Sequence, residues 1–188
     1  EIGQKLGLEK QELTSVSGYK SVYSDESAID LIMMAYAGLR NCRFVELCQR
    51  HGINAVGLTG LDGRMVQGQR NRGIRVREGG KTLMKHDFSG KPKSANTDLL
   101  RLLLEQGYRP VLSIPIVDEQ GFAINSENDD IVNVLQKSLH AEKILQLIEA
   151  PGFLDQRGDP ESVVRQMTQH ELEARENKVE GRMKRKML

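Results

Sequence analysis

The apolar positions of this chain fall into short runs of β type, alternating with longer stretches of helical spacing. Pro110 to Val117 is apolar and β-branched, entered through Gly107-Tyr108-Arg109 and left through Asp118-Glu119-Gln120-Gly121, which predicts a buried central strand closed by a turn. Beyond Phe122-Ala123-Ile124, the residues Ile131, Val132, Val134, Leu135 and Leu139 recur at helical spacing, so a strand end meets a helix start. Asn54 to Leu58 predicts another buried strand, Asp98 to Gln106 a helix closed by Gly107, and Lys143 to Ile148 a further buried strand ended by Glu149-Ala150-Pro151-Gly152. Strands and helices alternating in this order imply parallel neighbours with helices packed on the sheet, an α/β architecture.

The remaining stretches fill in around this frame. Glu1 to Glu9 predicts a short amphipathic helix, and Leu13 to Lys20 a strand or loop punctuated by Ser and Gly. Ser24 or Asp25 can cap a long helix that carries Ala28, Ile29, Leu31, Ile32, Met33, Ala35, Tyr36, Leu39, Phe44, Val45, Leu47 and Cys48 before Gly52 stops it. Its apolar face is broad enough either to span a large core or to continue across an interface, and the adjacent Met33 and Met34 point to a partner surface. Gly57 to Gly63 predicts a sharp turn, followed by ribbons at Arg64 to Gln69 and Gly73 to Arg77, and a Gly79-Gly80 turn into Lys81 to His86. Thr168-Gln169-His170-Glu171 is a capping box opening a polar helix to about Asn177. Gly181-Arg182-Met183-Lys184-Arg185-Lys186 begins another, with cations at the end where the helix dipole disfavours them, which points to an anion held there. The chain opens and stops inside predicted helices, so it reads as a fragment.

Composition narrows the class. Of 188 residues, 28% are charged and 38% hydrophobic, with no Trp, the profile of a soluble, helix-rich globular protein. A net charge of +1 argues against a general nucleic-acid binder, and no apolar run has the length of a membrane span. Cys42 and Cys48 share a predicted helix ~9 Å apart along its axis, too far for a disulfide, which fits a reducing compartment and hence the cytoplasm. His51, His86, His140 and His170 show no metal-ligand spacing. Charge is uneven, however. From Arg64 to Lys93 there are Arg64, Arg70, Arg72, Arg75, Arg77, Lys81, Lys85, Lys91 and Lys93 against Glu78 and Asp87. This is either a solvated hairpin face or a landing patch for an acidic partner or a polyphosphate.

The chemistry concentrates where the Pro110–Val117 strand and its turn give way to the helix. Uncapped N–H groups and the positive end of a helix dipole favour an anion there, and Asn125 and Asp129 flank the junction. On spacing alone the simpler reading is that both are cap and turn residues. Taken with Gly57-Leu58-Thr59-Gly60-Leu61-Asp62-Gly63, Ala150-Pro151-Gly152-Phe153-Leu154 and Gly181 to Lys186, the run Ala123-Ile124-Asn125-Ser126-Glu127-Asn128-Asp129 resembles the amino-acid kinase family. Within it the chain is most similar to the branch of LysW-aminoadipate and LysW-glutamate kinases.

That resemblance implies a three-layer αβα sandwich with a mainly parallel sheet, incomplete at both ends. Residues 1–140 would form the substrate-binding and dimerisation part, and 141–188 the start of the nucleotide-binding part. It implies phosphoryl transfer from ATP, with Mg, to a side-chain carboxylate. Lys186 would stabilise the transition state, Asp129 would hold the active-site lysines, Asn125 would bind substrate, and Glu149, Pro151 and Gly152 would lie at the nucleotide. The carrier LysW would dock on the basic ribbons from Arg64 to Lys93, and the protein would be a homodimer. An N-acetylglutamate kinase is the nearest alternative. Departures from the family pattern favour another, a non-catalytic carrier-binding or regulatory member. Ser21-Val22-Tyr23-Ser24-Asp25 carries Val22 where relatives place an Arg that grips the substrate, Lys20 lacks the bidentate fork, and Glu127-Asn128 and Ile148-Glu149 replace Asp-Gly and Ser-Asp.

Overall fold

The computed structural model describes residues 3, 12–14, 20–149, 151–156 and 158–176. It comprises two compact units, Glu1–Leu139 and His140–Leu188. The first contains a small antiparallel pair, β1 (Glu12–Thr14) and β2 (Lys20–Val22). Helix α1 (Glu26–Ile32) then starts on Asp25, whose carboxylate accepts the Ala28 N–H at 2.8 Å. The predicted long helix is present but not uniform: Met33–Arg40 is wound as a π-helix before α2 (Asn41–Arg50) resumes the α-helical pitch. At the join, the Asn41 N–H reaches the carbonyls of both Gly38 and Tyr36.

That join has a packing consequence. Asn41 is 6% exposed, and its amide lies 3.0 Å from the Leu58 and Val111 carbonyls and 3.2 Å from Ser113 Oγ, so it ties the helix to two strands. Gly57 makes the approach possible, because a Cβ there would sit 2.1 Å from Asn41 Oδ1.

The main sheet contains β3 (Ala55–Gly60), β4 (Val66–Arg70), β7 (Gly90–Ala95), β8 (Arg109–Val117) and β9 (Ala123–Ile124), in the order β3-β8-β4-β7 with β9 also on β8. Pairing is parallel at the centre, β3 with β8 and β4 with β8, and antiparallel where β7 and β9 join. The apolar β8 is thus an interior strand, as its composition predicts. Strands β5 (Ile74–Glu78) and β6 (Lys81–Lys85) form a separate hairpin across the Gly79-Gly80 turn. Helix α3 (Thr97–Glu105) packs on β8, α2 on β3 and β8, and α4 (Asn128–Leu139) on β7. Met65, Val66, Leu100, Ile114, Ile116, Ile124 and Ile131 form the core, each large aliphatic contributing about 1.5–3 kcal/mol by leaving water.

Three expectations are corrected. Strand β3 runs on through Gly60, and the turn falls at Leu61 to Arg64, locked by the Asp62 carboxylate on the N–H and hydroxyl of Thr59 at 2.7 and 2.9 Å. Strand β7 has no counterpart in the periodicity, since Gly90-Lys91-Pro92-Lys93-Ser94 is polar and carries Pro; it is an edge strand, where Pro is tolerated. Lys143 to Ile148 is not a strand: it belongs to no regular element, and Leu145 and Leu147 are 82% and 99% exposed. Apolar composition can predict burial but cannot supply a ladder partner, and no described residue pairs with this run. The predicted helices at Glu1 to Glu9 and Gly181 to Lys186 lie outside the described residues, apart from Gly3.

In the second unit, Leu154 bridges Val163, and the Phe153 carbonyl accepts the Val164 N–H at 2.8 Å. Asp159 caps the short turn Pro160–Ser162, and α5 (Gln169–Glu176) opens on the predicted capping box. Arg175 pairs with Asp155, its guanidinium 5.9 Å from the Phe153 ring centroid.

Candidate functional site

Asn125 follows β9 directly, and Asp129 lies in the first turn of α4, so the structure puts both at the strand-to-helix junction. The backbone of Asn125 is engaged on both sides by one neighbouring segment. Its N–H donates to the Phe88 carbonyl at 2.8 Å, its C=O accepts the Gly90 N–H at 2.9 Å, and it bridges Ser89 in parallel sense. Both main-chain groups of Asn125 are thus used within the fold. Helix α4 begins with Asp129 and Asp130 in its first turn, where a carboxylate is favoured by ~0.3–1 kcal/mol.

Ser126, between them, went unremarked in the pattern because a serine beside a cap looks like ordinary turn chemistry. It is 9% exposed, and its Oγ has no hydrogen-bond partner among the described residues. A buried hydroxyl left without a partner costs about 1–3 kcal/mol, so the junction retains an unspent polar group beside the helix N-terminus.

The other predicted residues lie elsewhere. Glu149, Pro151 and Gly152 belong to the second unit, where Glu149 and Pro151 are exposed and Gly152, at φ +146°, leads into the Phe153 to Val164 turn. Lys186 lies outside the described residues. A cleft of about 520 Å3 between the helix and β3, lined by Asn41, Cys42, Glu46, Thr59 and Asp62 among others, shares no residue with the Asn125 junction.

The basic ribbons divide into two groups. Arg64 donates to the Asp118 carbonyl at 3.3 Å, and Arg70 donates to the Asp87 carbonyl at 3.0 Å while stacking 3.6 Å from the Phe88 ring centroid. Both cations are bonded within the fold, Arg70 half-buried and Arg64 exposed. Arg72, Arg75, Arg77, Lys81, Lys91 and Lys93 are exposed, and Arg75 and Arg77 share one face of the β5-β6 hairpin opposite Met84 and Thr82. No helix among the described residues is long and apolar enough to cross a membrane.

Comparison with known proteins sets these features in a family. The chain is 37% identical to a [LysW]-aminoadipate kinase of Deinococcus radiodurans, over all of this chain and 64% of that protein. It is also 37% identical to a [LysW]-aminoadipate kinase of Thermus thermophilus, over all of this chain and 71% of that protein. The chain thus spans about two thirds of the length of these curated relatives. Acetylglutamate kinases recur among relatives at 29% and 32% identity. A solved structure from Streptococcus mutans superimposes with a TM-score of 0.74 over 99% of this chain and 69% of that one; at 14% identity it speaks to the fold alone. The profile of the amino acid kinase family matches residues 2–188, and the chain belongs to that family.

Proposed function

We propose that the protein carrying this chain transfers the γ-phosphoryl group of ATP to the side-chain carboxylate of aminoadipate or glutamate held on the carrier LysW. The supporting observation is the 37% identity across the whole chain to two [LysW]-aminoadipate kinases, with Asn125 and Asp129 together at the strand-to-helix junction.

The chemistry accounts for the residue types. A carboxylate with a pKa near ~4 is already ionised at neutral pH, so the nucleophile needs no general base. The difficulty is electrostatic, because an anion approaches a polyanion while charge spreads over the transferring oxygens. In this reading Asn125 orients the acceptor, and the N–H groups heading α4 lie beside the incoming charge. Asp129 holds lysines, Lys186 among them, through charge-assisted hydrogen bonds, and Lys186 meets the charge that develops in the transition state. Residues 1–140 serve as the acceptor-binding part, and 141–188 begin the nucleotide-binding part, with Glu149, Pro151 and Gly152 against the nucleotide. Mg would enter with ATP, on its phosphate oxygens. The exposed hairpin cations would meet an acidic carrier, and the apolar helix face a second copy of the chain.

The test is direct. The full-length protein, given ATP, Mg and LysW-linked aminoadipate or glutamate, should form an acyl phosphate trapped by hydroxylamine as a hydroxamate. No product from any carrier-linked or N-acetylated acceptor would end the reading. Turnover of free N-acetylglutamate without carrier would instead select acetylglutamate kinase, the reading that the more distant relatives favour. Lys186→Ala should lower kcat far more than it raises KM, because its contact is made mainly in the transition state.

A further inference from the structure

We propose that Asp87 is a positioning residue: a buried carboxylate, away from the reacting atoms, that fixes the segment on which Asn125 is hung. The inference rests on Asn125 being the acceptor-binding residue of the kinase reading. Asp87 is 2% exposed. A carboxylate is seldom buried without reason, since its removal from water is costly unless its oxygens are satisfied. Here the donors are neutral. Oδ1 faces the Ser24 N–H at 3.3 Å, and Oδ2 accepts from the Ser89 hydroxyl and lies 3.5 Å from Asn71 Nδ2.

These contacts join three parts of the chain at one node. Ser24 precedes the cap of α1, Asn71 follows β4, and Ser89 pairs with Asn125. The backbone between them has no slack. Phe88 donates its N–H to the Ser24 carbonyl at 2.7 Å and accepts the Asn125 N–H at 2.8 Å. Asn71 donates its own N–H to the Ser89 carbonyl at 2.9 Å and its amide to Ser89 Oγ at 2.7 Å. Arg70 holds the other side, through the Asp87 carbonyl and the Phe88 ring. Gly90 closes the bracket where no side chain fits, because a Cβ would fall 2.5 Å from the Gln69 carbonyl oxygen and 2.7 Å from Ile124 Cδ1.

The bracket of Asp87, Phe88, Ser89 and Gly90 therefore ties Ser24, at the head of α1, to Asn125. A merely structural carboxylate would trade for an amide with a general loss of stability. A positioning carboxylate alters acceptor binding selectively, because an amide at position 87 presents N–H groups to Ser89 and Asn71, which already donate to it.

The experiment uses the full-length protein with Asp87→Asn and, separately, Ser89→Ala. Each should raise the KM for the carboxylate acceptor about tenfold while leaving the KM for ATP within about twofold and the Tm within a few degrees. The double variant should lose less than the product of the two, as expected for partners in one contact. Native-state hydrogen exchange supplies a readout independent of turnover: in Asp87→Asn the Asn125 and Gly90 amides should exchange faster, with the β3 and β8 amides unchanged. An unaltered acceptor KM, equal rises in both KM values, or unaltered exchange at Asn125 would overturn the proposal. A wild-type protein without turnover on any acceptor, but with faster Asn125 exchange in the variant, would end the kinase reading and leave the coupling standing.

Discussion

Asn41 and Gly57 show how closely individual positions are matched in this chain. The amide of one occupies the space that a side chain on the other would need, and three acceptors on β3 and β8 converge on it. Gly57→Ala should therefore destabilise the protein by ~1–3 kcal/mol through overpacking. Asn41→Ala should cost a similar ~1–3 kcal/mol by stripping buried acceptors of a donor. Urea denaturation of the single and double variants should show the double variant losing less than the sum, because either change alone already breaks the same contact. The opposite result, strict additivity, would mean that the helix does not reach the sheet through Asn41. At the site, Asn125→Ala removes a side chain whose backbone is already fully used. It should raise the acceptor KM at least tenfold, with little change in Tm.

Among the elements, the join between β9 and α4 was legible in advance because turn, alternating and helical signals follow one another within a few residues. Strand β7 was not, because edge strands tolerate the polar residues and proline that elsewhere mark loops. Neither was the π-helical stretch of Met33–Arg40, which carries no sequence mark that separates it from α-helix; it ends where Asn41, bonded to the sheet, begins α2. Helix α5 offers a test by pH. The Glu171 carboxyl is held below the ordinary glutamate value, first by the Thr168 N–H, then by the Thr168 hydroxyl, with Arg175 adding a smaller pull. A depressed carboxyl stabilises the folded state above its unfolded pKa and loses that contribution as pH falls through the folded value. The capping box is thus intact at neutral pH and opens in acid, below the usual glutamate range. Carbon-detected NMR titration of Glu171 should show its midpoint rising part of the way to the ordinary value in Thr168→Ala, since the backbone N–H at position 168 remains.

At the scale of the molecule, the long helix carries the exposed apolar residues that bear on assembly. Met34, Tyr36, Leu39, Phe44 and Leu47 all face solvent in substantial part, Phe44 at 55%. Exposed apolar side chains along one element are what the proposed second copy of the chain would cover. Light scattering of the full-length protein should give a dimer, and Phe44→Glu with Leu47→Glu should give a monomer; a monomeric wild type would refute the assignment. Arg75 and Arg77, on one hairpin face, belong to a separate test. Their replacement by Glu should weaken an acidic carrier several-fold at low salt and by less at high salt, with the KM for ATP unchanged.

Much of this protein was written in its linear order. Apolar period, caps and glycines identify β3, β8, α3, α4 and the start of the long helix at Ser24-Asp25, because each depends on neighbours within a turn or two along the chain. Four short motifs in order point to the family for the same reason. Tertiary structure alone decided that Lys143 to Ile148 pairs with no described residue, that a polar run at Gly90–Ala95 becomes a strand, and that Phe88 and Gly90 come to hold Asn125. A ladder partner, a packed face and a donor from a distant segment are properties of what lies across space. A local pattern carries no record of them.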